Sequence, residues 1–317
     1  MENKVAQYLV TGGAGFIGSH LCRRLRASGC AVRVLDDLSS GRRENLAALD
    51  GEVDLVEGDL RDEALVSAAL AGVDYVLHHA AVASVQTSIE RPRFEQEVNA
   101  AGTLQLFEAA RRAGVRRVVF AASAASYGND PTGPKREEML PAPESPYAIS
   151  KIAGEYYARV YSSLYGLEVV CLRYFNVFGP RQDPSSPYSG VISIFAERML
   201  AGAAPTVFGD GGQSRDFVYV DNVVEANMQA CATPGIAGRV YNIGCGRSAS
   251  LLELVAALNR VLGTAIEPEF APARPGDVRI SLADITRAQR ELGYEPVVQF
   301  EEGLEQTLEW MRAAGGN

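Results

Sequence analysis

The segment Ser145-Pro146-Tyr147-Ala148-Ile149-Ser150-Lys151 sets a phenol four residues before an ammonium. On a helix, positions i and i+4 share a face, so Tyr147 and Lys151 would be within reach of each other. A free phenol titrates near pH ~10 and is a poor base at neutral pH. A neighbouring ammonium favours the phenolate and draws its titration toward the working range, which would make the pair an acid/base device. A solvated helix face would show the same spacing, so the rest of the chain has to decide between the two readings.

A second stretch with chemical content is Leu-Val-Thr-Gly-Gly-Ala-Gly-Phe-Ile-Gly, where Gly12, Gly15 and Gly18 follow an apolar strand pattern and open a helical one. The first glycine allows a tight turn, the next lets a pyrophosphate approach the backbone at a helix N-terminus, and the last lets helix and strand pack closely. The second strand pattern ends in Val-Leu-Asp-Asp, which puts Asp36 where a carboxylate can hydrogen-bond an adenosine ribose. A carboxylate there repels a 2′-phosphate, so NAD is expected over NADP. Asp59, in Glu-Gly-Asp-Leu-Arg-Asp after the third strand pattern, suits an adenine amino group. The alternative is a glycine loop that binds nothing.

The elements that must hold these groups follow from the apolar patterning. Strands are predicted at QYLVT, AVRVLD, VDLVEG, DYVLHHA, RRVVFAAS and LEVVCLRYF, with helical patterns IGSHLCRRLRASG, DEALVSAALAG and AGTLQLFEAARRAG between them. Each helical pattern ends at or near glycine, as helix C-termini often do. Strand–helix alternation with β-branched, doubly buried strands predicts a parallel sheet covered by helices on both faces. After Arg173 the rhythm breaks at the loop GPRQDPSSPYSG, and a mixture of helices and short strands follows as a smaller domain at one sheet edge.

Hydrophobic residues make up 47% of the 317 and charged residues 22%, as in an ordinary soluble globular protein. A net charge of −9 argues against a broad nucleic-acid or anionic-membrane surface. The sequence has no transmembrane-length apolar run and no signal-peptide pattern. The five cysteines are scattered without a C-x-x-C pair and are expected to be free thiols in a reducing cytosol. His20, His78 and His79 form no metal spacing; His78 and His79 are expected to pack or to bond the backbone, and no metal is expected.

Taken in order, the glycine turn, Asp36, Asp59, HHAA, Asn99, AASAASYG and YAISK resemble the extended short-chain dehydrogenase/reductase family over essentially the whole length. LRYFNVFGPRQDP, GDGGQSRDFVYVDN, VYNIGCG and RPGDVRISLAD narrow the likeness to nucleotide-sugar 4-epimerases of the UDP-galactose and UDP-N-acetylglucosamine type. The resemblance implies a Rossmann-type doubly wound α/β fold with a smaller mixed substrate-binding domain. It implies a dinucleotide-binding domain over about 1–175 with a returning segment at about 210–245, and a discontinuous nucleotide-sugar domain mainly over 176–317.

The resemblance also implies roles. Tyr147 would be the acid/base, Lys151 would hold the nicotinamide ribose and lower the phenol's pKa, and Ser123 would hydrogen-bond the reacting hydroxyl. NAD would be held by Gly12, Gly15, Phe16, Ile17, Gly18, Asp36, Asp59, Leu60, Ala80, Asn99 and Tyr174 together with Tyr147 and Lys151. The UDP-sugar would meet Ser123, Tyr147, Asn176, Val191, Phe208, Arg215, Arg274, Asp277 and Ser281. Singly, each arginine reads as well as a surface ion pair, and Phe208 as a core aromatic. Where 4,6-dehydratases carry Asp-Glu and UDP-glucuronate decarboxylases a glutamate, this chain has Ala124 and Ala125, which favours simple 4-epimerisation. A UDP-glucuronate 4-epimerase, a reductase of the same family and a silent NAD-binding scaffold remain as alternatives. The stripe Tyr157, Tyr161, Tyr165 lies on the helix after Tyr147, and the resemblance implies a homodimer through that helix and the one after Asn99.

Overall fold

The structure, a computed structural model, describes residues 5–183, 190–273 and 278–315. In the first half, strands β1 (Gln7–Thr11), β2 (Ala31–Asp36), β3 (Val53–Glu57), β4 (Tyr75–His78), β5 (Arg117–Ser123) and β6 (Glu168–Tyr174) alternate with helices. These are α1 (Phe16–Ala27), α2 (Glu63–Ala69), α3 (Val85–Glu90), α4 (Pro92–Gln96), α5 (Gly102–Arg112) and α6 (Pro146–Leu164). The second half adds β7 (Asn176–Phe178), β8 (Thr206–Phe208), β9 (Ser214–Arg215), β10 (Phe217–Tyr219), β11 (Val240–Ile243), β12 (Ala249–Ser250), β13 (Glu269–Ala271) and β14 (Ile280–Ser281). Its helices are α7 (Val191–Leu200), α8 (Val220–Ala232), α9 (Leu251–Leu262), α10 (Thr286–Leu292) and α11 (Phe300–Gly315).

Seven strands form one parallel sheet in the order β3-β2-β1-β4-β5-β6-β11. Successive side chains on each strand point to opposite faces, and here both faces are buried. Val10, Val34, Leu77, Val119 and Val170 enter one core, with Leu21 and Leu25 of α1 and Val223 of α8. Leu9, Leu35, Val76, Val118 and Val169 enter the other, with Val66 of α2, Leu106 and Phe107 of α5 and Ala158 of α6. The strand predictions were runs of apolar residues rather than alternations for this reason. A third core, around Phe178, Phe195, Val207, Tyr219, Leu254, Phe300 and Leu304, belongs to the second lobe. Among the described residues no helix is long and apolar enough to cross a membrane.

Helix α6 starts where it does for local reasons. Ser145 caps it by accepting from the Ala148 N–H at 3.2 Å, and Pro146 stands in the first turn, where its missing N–H costs nothing. The helix lies close against β5 because residue 154 is glycine: a Cβ there would fall 2.5 Å from the Phe120 ring. Tyr161 turns inward, only 7% exposed, packed edge-on to Phe107 and bonded to Glu108. The expected tyrosine stripe is therefore split: Tyr161 is core, Tyr157 half-buried and Tyr165 exposed. The apolar residues that α6 exposes are Ile149, Tyr156, Val160 and Leu164.

Candidate active site

The turn between β1 and α1 is built without room for side chains. Gly12 has a left-handed φ of +69°, and a Cβ on it would lie 2.7 Å from the Ala80 nitrogen; a Cβ on Gly18 would lie 2.1 Å from the Gly12 carbonyl oxygen. Helix α1 opens at Gly15 with no side-chain cap and no acidic residue in its first turn, at Phe16 and Ile17. Its first N–H groups and the positive end of its dipole thus meet the requirements of a phosphate. Asp36 ends β2, 6% exposed, and accepts from the N–H groups of Ala14 and Leu38 at 2.9 Å each. Burial raises its pKa, against the pull of those two bonds. Asp36 thus supports the glycine turn from below as well as standing at the strand end. Asp59 is gripped by the Arg61 guanidinium, which holds its carboxyl below the usual range. Leu60 packs in the core, with its carbonyl bonded by Gln105. These residues fit a dinucleotide: a tight glycine turn, an uncapped helix start and a carboxylate at the second strand end.

Ser123 ends β5, and Tyr147 and Lys151 lie on the first turns of α6, which packs against that strand. Tyr147 and Ser123 line the same cleft, and Ser123 draws the Tyr147 phenol's pKa down. Lys151, 5% exposed, donates to the Ala121 carbonyl at 2.8 Å and sits 5.7 Å from the centre of the Tyr147 ring. The electrostatic expectation for Tyr147 needs correction. Burial pushes the Tyr147 phenol up, Ser123 opposes this, and Glu95 pushes it up further. Lys151 is itself brought down to about 8 by burial. Desolvation dominates at both groups, and the ammonium is turned toward a backbone carbonyl.

Sequence reasoning did not anticipate the side-chain chains beneath the site. His78 bridges Thr11 Oγ1 at 2.7 Å and Thr103 Oγ1 at 2.9 Å, and Thr11 also accepts from the Ala80 N–H at 3.1 Å. His79 stacks on Tyr174, and its Nε2 lies 2.9 Å from the Tyr174 hydroxyl, which accepts from Asn227 at 2.8 Å. Burial, reinforced by Lys151, lowers both histidines, His79 to about 3, so both are neutral. Both pack against aromatic rings as expected, His78 on Phe107 and Phe120 and His79 on Tyr174, and their rings also bond side chains. Asn99, in a π-helical turn at Glu97–Ala101, clasps Val82 through both its N–H and carbonyl, holding the loop after β4.

A cleft of about 570 Å³ opens over Ser123, Tyr147 and Tyr174 and is closed by the second lobe through Asn176, Arg215 and Ser281. Ala124 and Ala125 also face it. Short strand pairings bring the last three together from distant sequence: β14 aligns Ser281 with Arg215 on β9, and β10 aligns Phe217 with Asn176 on β7. Asp216, fully buried, is the hub. Its carboxylate accepts from Cys245, Gly246 and Ala283, its carbonyl from Asn176, and its N–H donates to the Ser281 carbonyl at 2.7 Å. Burial raises its carboxyl to about 6. Val191 opens α7 and Phe208 ends β8; neither lines the cleft. Arg274 and Asp277 lie outside the described residues.

Residues 8–244 match the model of the NAD dependent epimerase/dehydratase family. A UDP-glucose 4-epimerase of Mycolicibacterium smegmatis is 45% identical over 308 residues, covering 96% of this chain and 98% of that protein. The Thermus thermophilus UDP-glucose 4-epimerase, solved in complex with NAD, superposes with a TM-score of 0.87 at 43% identity, covering 97% of this chain and 99% of that one. A UDP-N-acetylglucosamine 4-epimerase of Methanobrevibacter ruminantium, solved with UDP-N-acetylmuramic acid, gives 0.94 at 38% identity, covering 98% and 99%. With a glycine turn, a seven-stranded parallel sheet and a cleft lined by Ser123 and Tyr147, and likeness over nearly its whole length, the chain belongs to the NAD-dependent epimerase/dehydratase family.

Proposed function

We propose that this chain is an NAD-dependent 4-epimerase of UDP-sugars, acting on UDP-glucose and UDP-galactose and on their N-acetylated counterparts. The observation that carries the reading is the placement of Ser123 and Tyr147 at one cleft, with Lys151 buried one helical turn beyond Tyr147, while the two residues after Ser123, Ala124 and Ala125, bring no acid into it. A dehydratase has to protonate a leaving hydroxyl, and this segment has no group to do so.

Bound NAD accepts hydride from the sugar C4 and returns it to the opposite face, so the reaction is redox-neutral overall. The protein's part is proton transfer and orientation. Tyr147 takes the proton from the sugar O4 and gives it back after the keto sugar has turned. Ser123 bonds the same oxygen and keeps the phenol directed at it. Lys151 supplies the positive charge that favours phenolate and a donor for a ribose hydroxyl. Gly12, Gly15 and Gly18 with the α1 N-terminus would hold the pyrophosphate, Asp36 the adenosine ribose, and Asp59 the adenine. Arg215, Arg274 and Asn176 would serve the sugar nucleotide's diphosphate, and Asp277 its uridine ribose. The protein works as a homodimer through the exposed apolar face of α6. Incubation with a panel of UDP-sugars tests the reading: the 4-epimer accumulates to equilibrium without net NADH. Net consumption of external NAD(P)H, or loss of water from the sugar, counts against it.

A further inference from the structure

Glu95 has no part in the chemistry above, yet it is a carboxylate with no exposed surface, three residues into the short helix α4. Its Oε1 accepts from the Ser150 hydroxyl at 2.6 Å and from the Asn99 amide, and its Oε2 accepts from Gln96 Nε2 at 2.7 Å. The same Gln96 amide donates to the Pro146 carbonyl at 2.8 Å. Ser150 immediately precedes Lys151, and Pro146 immediately precedes Tyr147. Asn99, the remaining partner, clasps Val82 at 2.8 and 3.1 Å. One buried carboxylate therefore joins the first turn of α6, on both sides of the tyrosine–lysine pair, to the loop after β4.

A neutral side chain could fill this space without the desolvation a carboxylate suffers. The charge has a use only if a neighbour needs it. Tyr147 and Lys151 are those neighbours, since Glu95 acts on both in the direction that retains the proton. The other ionisable groups on elements packed against α6 do not compete. His78 on β4 and His79 just after it are neutral; Arg173 on β6 is closed by Glu155 at 2.7 Å, Arg117 on β5 is closed by Glu168, Arg93 on α4 is exposed, and the Tyr127 phenol is raised by burial. Glu90 on α3 and Glu97 in the π turn are exposed, and Glu108 on α5 is closed by Arg111 and Arg112. We propose that Glu95 is a positioning residue that holds the α6 turn carrying Tyr147 and Lys151 against the loop after β4 and keeps Lys151 protonated.

The proposal rests on the acid/base reading of Tyr147 and Lys151, and its main test does not need turnover. The chain has three lysines, Lys4, Lys135 and Lys151, so ε-¹³C-lysine NMR resolves them, with Lys151→Arg assigning the third. In Glu95→Gln the Lys151 titration midpoint falls below that of the wild type, and in Glu95→Asp it returns toward it. In steady-state assays of Glu95→Gln, kcat falls with KM little changed. Both limbs of the pH–rate profile move to lower pH, and the ratio of wild-type to variant kcat grows about tenfold from pH 7 to pH 9, the scale set by one nearby buried charge. An unchanged Lys151 midpoint, or a kcat loss equal at every pH, overturns the electrostatic role. Ser150→Ala keeps the charge and removes the tether, and carries the test if Glu95→Gln does not fold: kcat falls while KM and the Lys151 midpoint hold. Unchanged kcat in that variant overturns the positioning role. A wild type without turnover on any UDP-sugar counts against the proposed function, and the midpoint still decides this inference.

Discussion

Lys151 directs its ammonium at the Ala121 carbonyl, 2.8 Å away, and not at the Tyr147 phenol, whose ring centre lies 5.7 Å from it. The lysine is thus anchored to the end of β5, the strand that also carries Ser123. Tyr147 instead faces the cleft beside Ser123. This division of labour lets the phenol be replaced without removing the lysine's anchor.

Tyr147→Phe removes the proton acceptor and little volume. Turnover falls at least about a hundredfold, the usual scale of lost acid/base catalysis, while the purified protein retains NAD. Turnover above about a tenth of the wild-type value, short of that scale, rejects Tyr147 as the acid/base.

Lys151 gives a pH signature of its own. Its folded pKa of about 8 lies below the ordinary 10.5. Between those values the unfolded chain binds more protons than the folded one, so stability rises with pH. The cost of burying the charge is complete below pH ~8 and fades as the pH approaches ~10.5; the shift corresponds to about 3 kcal/mol. In cofactor-free protein, Lys151→Met is therefore more stable than the wild type at pH 7, and the gap closes at pH 10. Urea unfolding at both pH values checks this, and a gap independent of pH removes the assignment.

Asp36→Ala loosens NAD and relaxes discrimination against NADP, because it deletes the carboxylate at the ribose end and the bond to Ala14 that supports the glycine turn. Binding titrations with both dinucleotides measure it. Equal affinity of the wild type for NADP would show that Asp36 does not select the cofactor.

Ser281 is half-buried in the cleft wall, held by its pairing with Arg215. In the proposed reading Ser281 would stand beside the sugar's C2, where a small hydroxyl would leave space for an acetamido group, and a steric clash excludes far more completely than a lost apolar contact. Ser281→Tyr accordingly abolishes turnover of UDP-GlcNAc and UDP-GalNAc and spares UDP-Glc and UDP-Gal. Equal loss of both pairs, or a wild type inert toward UDP-GlcNAc, rejects the gate.

The dimer expectation moves to new residues. Tyr156 is 57% exposed and Val160 41%, beside Ile149 and Leu164 on the outer face of α6. A charge placed in the centre of such a face by Tyr156→Glu or Val160→Glu converts the dimer to monomer at micromolar concentration, read by light scattering. A wild type that is monomeric there sinks the proposal.

Much of this molecule is written locally. The six apolar runs of the first half become β1 to β6 because β-branched residues buried on both sides admit little else. The glycine turn follows from the contacts a Cβ would make at Gly12 and Gly18, and the start of α6 from Ser145 and Pro146. Sequence order was enough to place Ser123, Tyr147 and Lys151 in one family pattern. What it did not determine is how those elements face one another. Whether Tyr161 or Tyr156 turns inward depends on where Phe107 stands across α6. Asn176, Arg215 and Ser281 meet because parallel pairings and the buried Asp216 draw three distant segments together. The proton affinities of Tyr147 and Lys151 depend most on desolvation, which is a property of the packed interior, and on Glu95, a residue on another helix that spacing alone could not relate to them. Local pattern selects the elements and their caps; burial and long-range pairing set the electrostatics, because both arise only when segments far apart in the chain exclude water from one another.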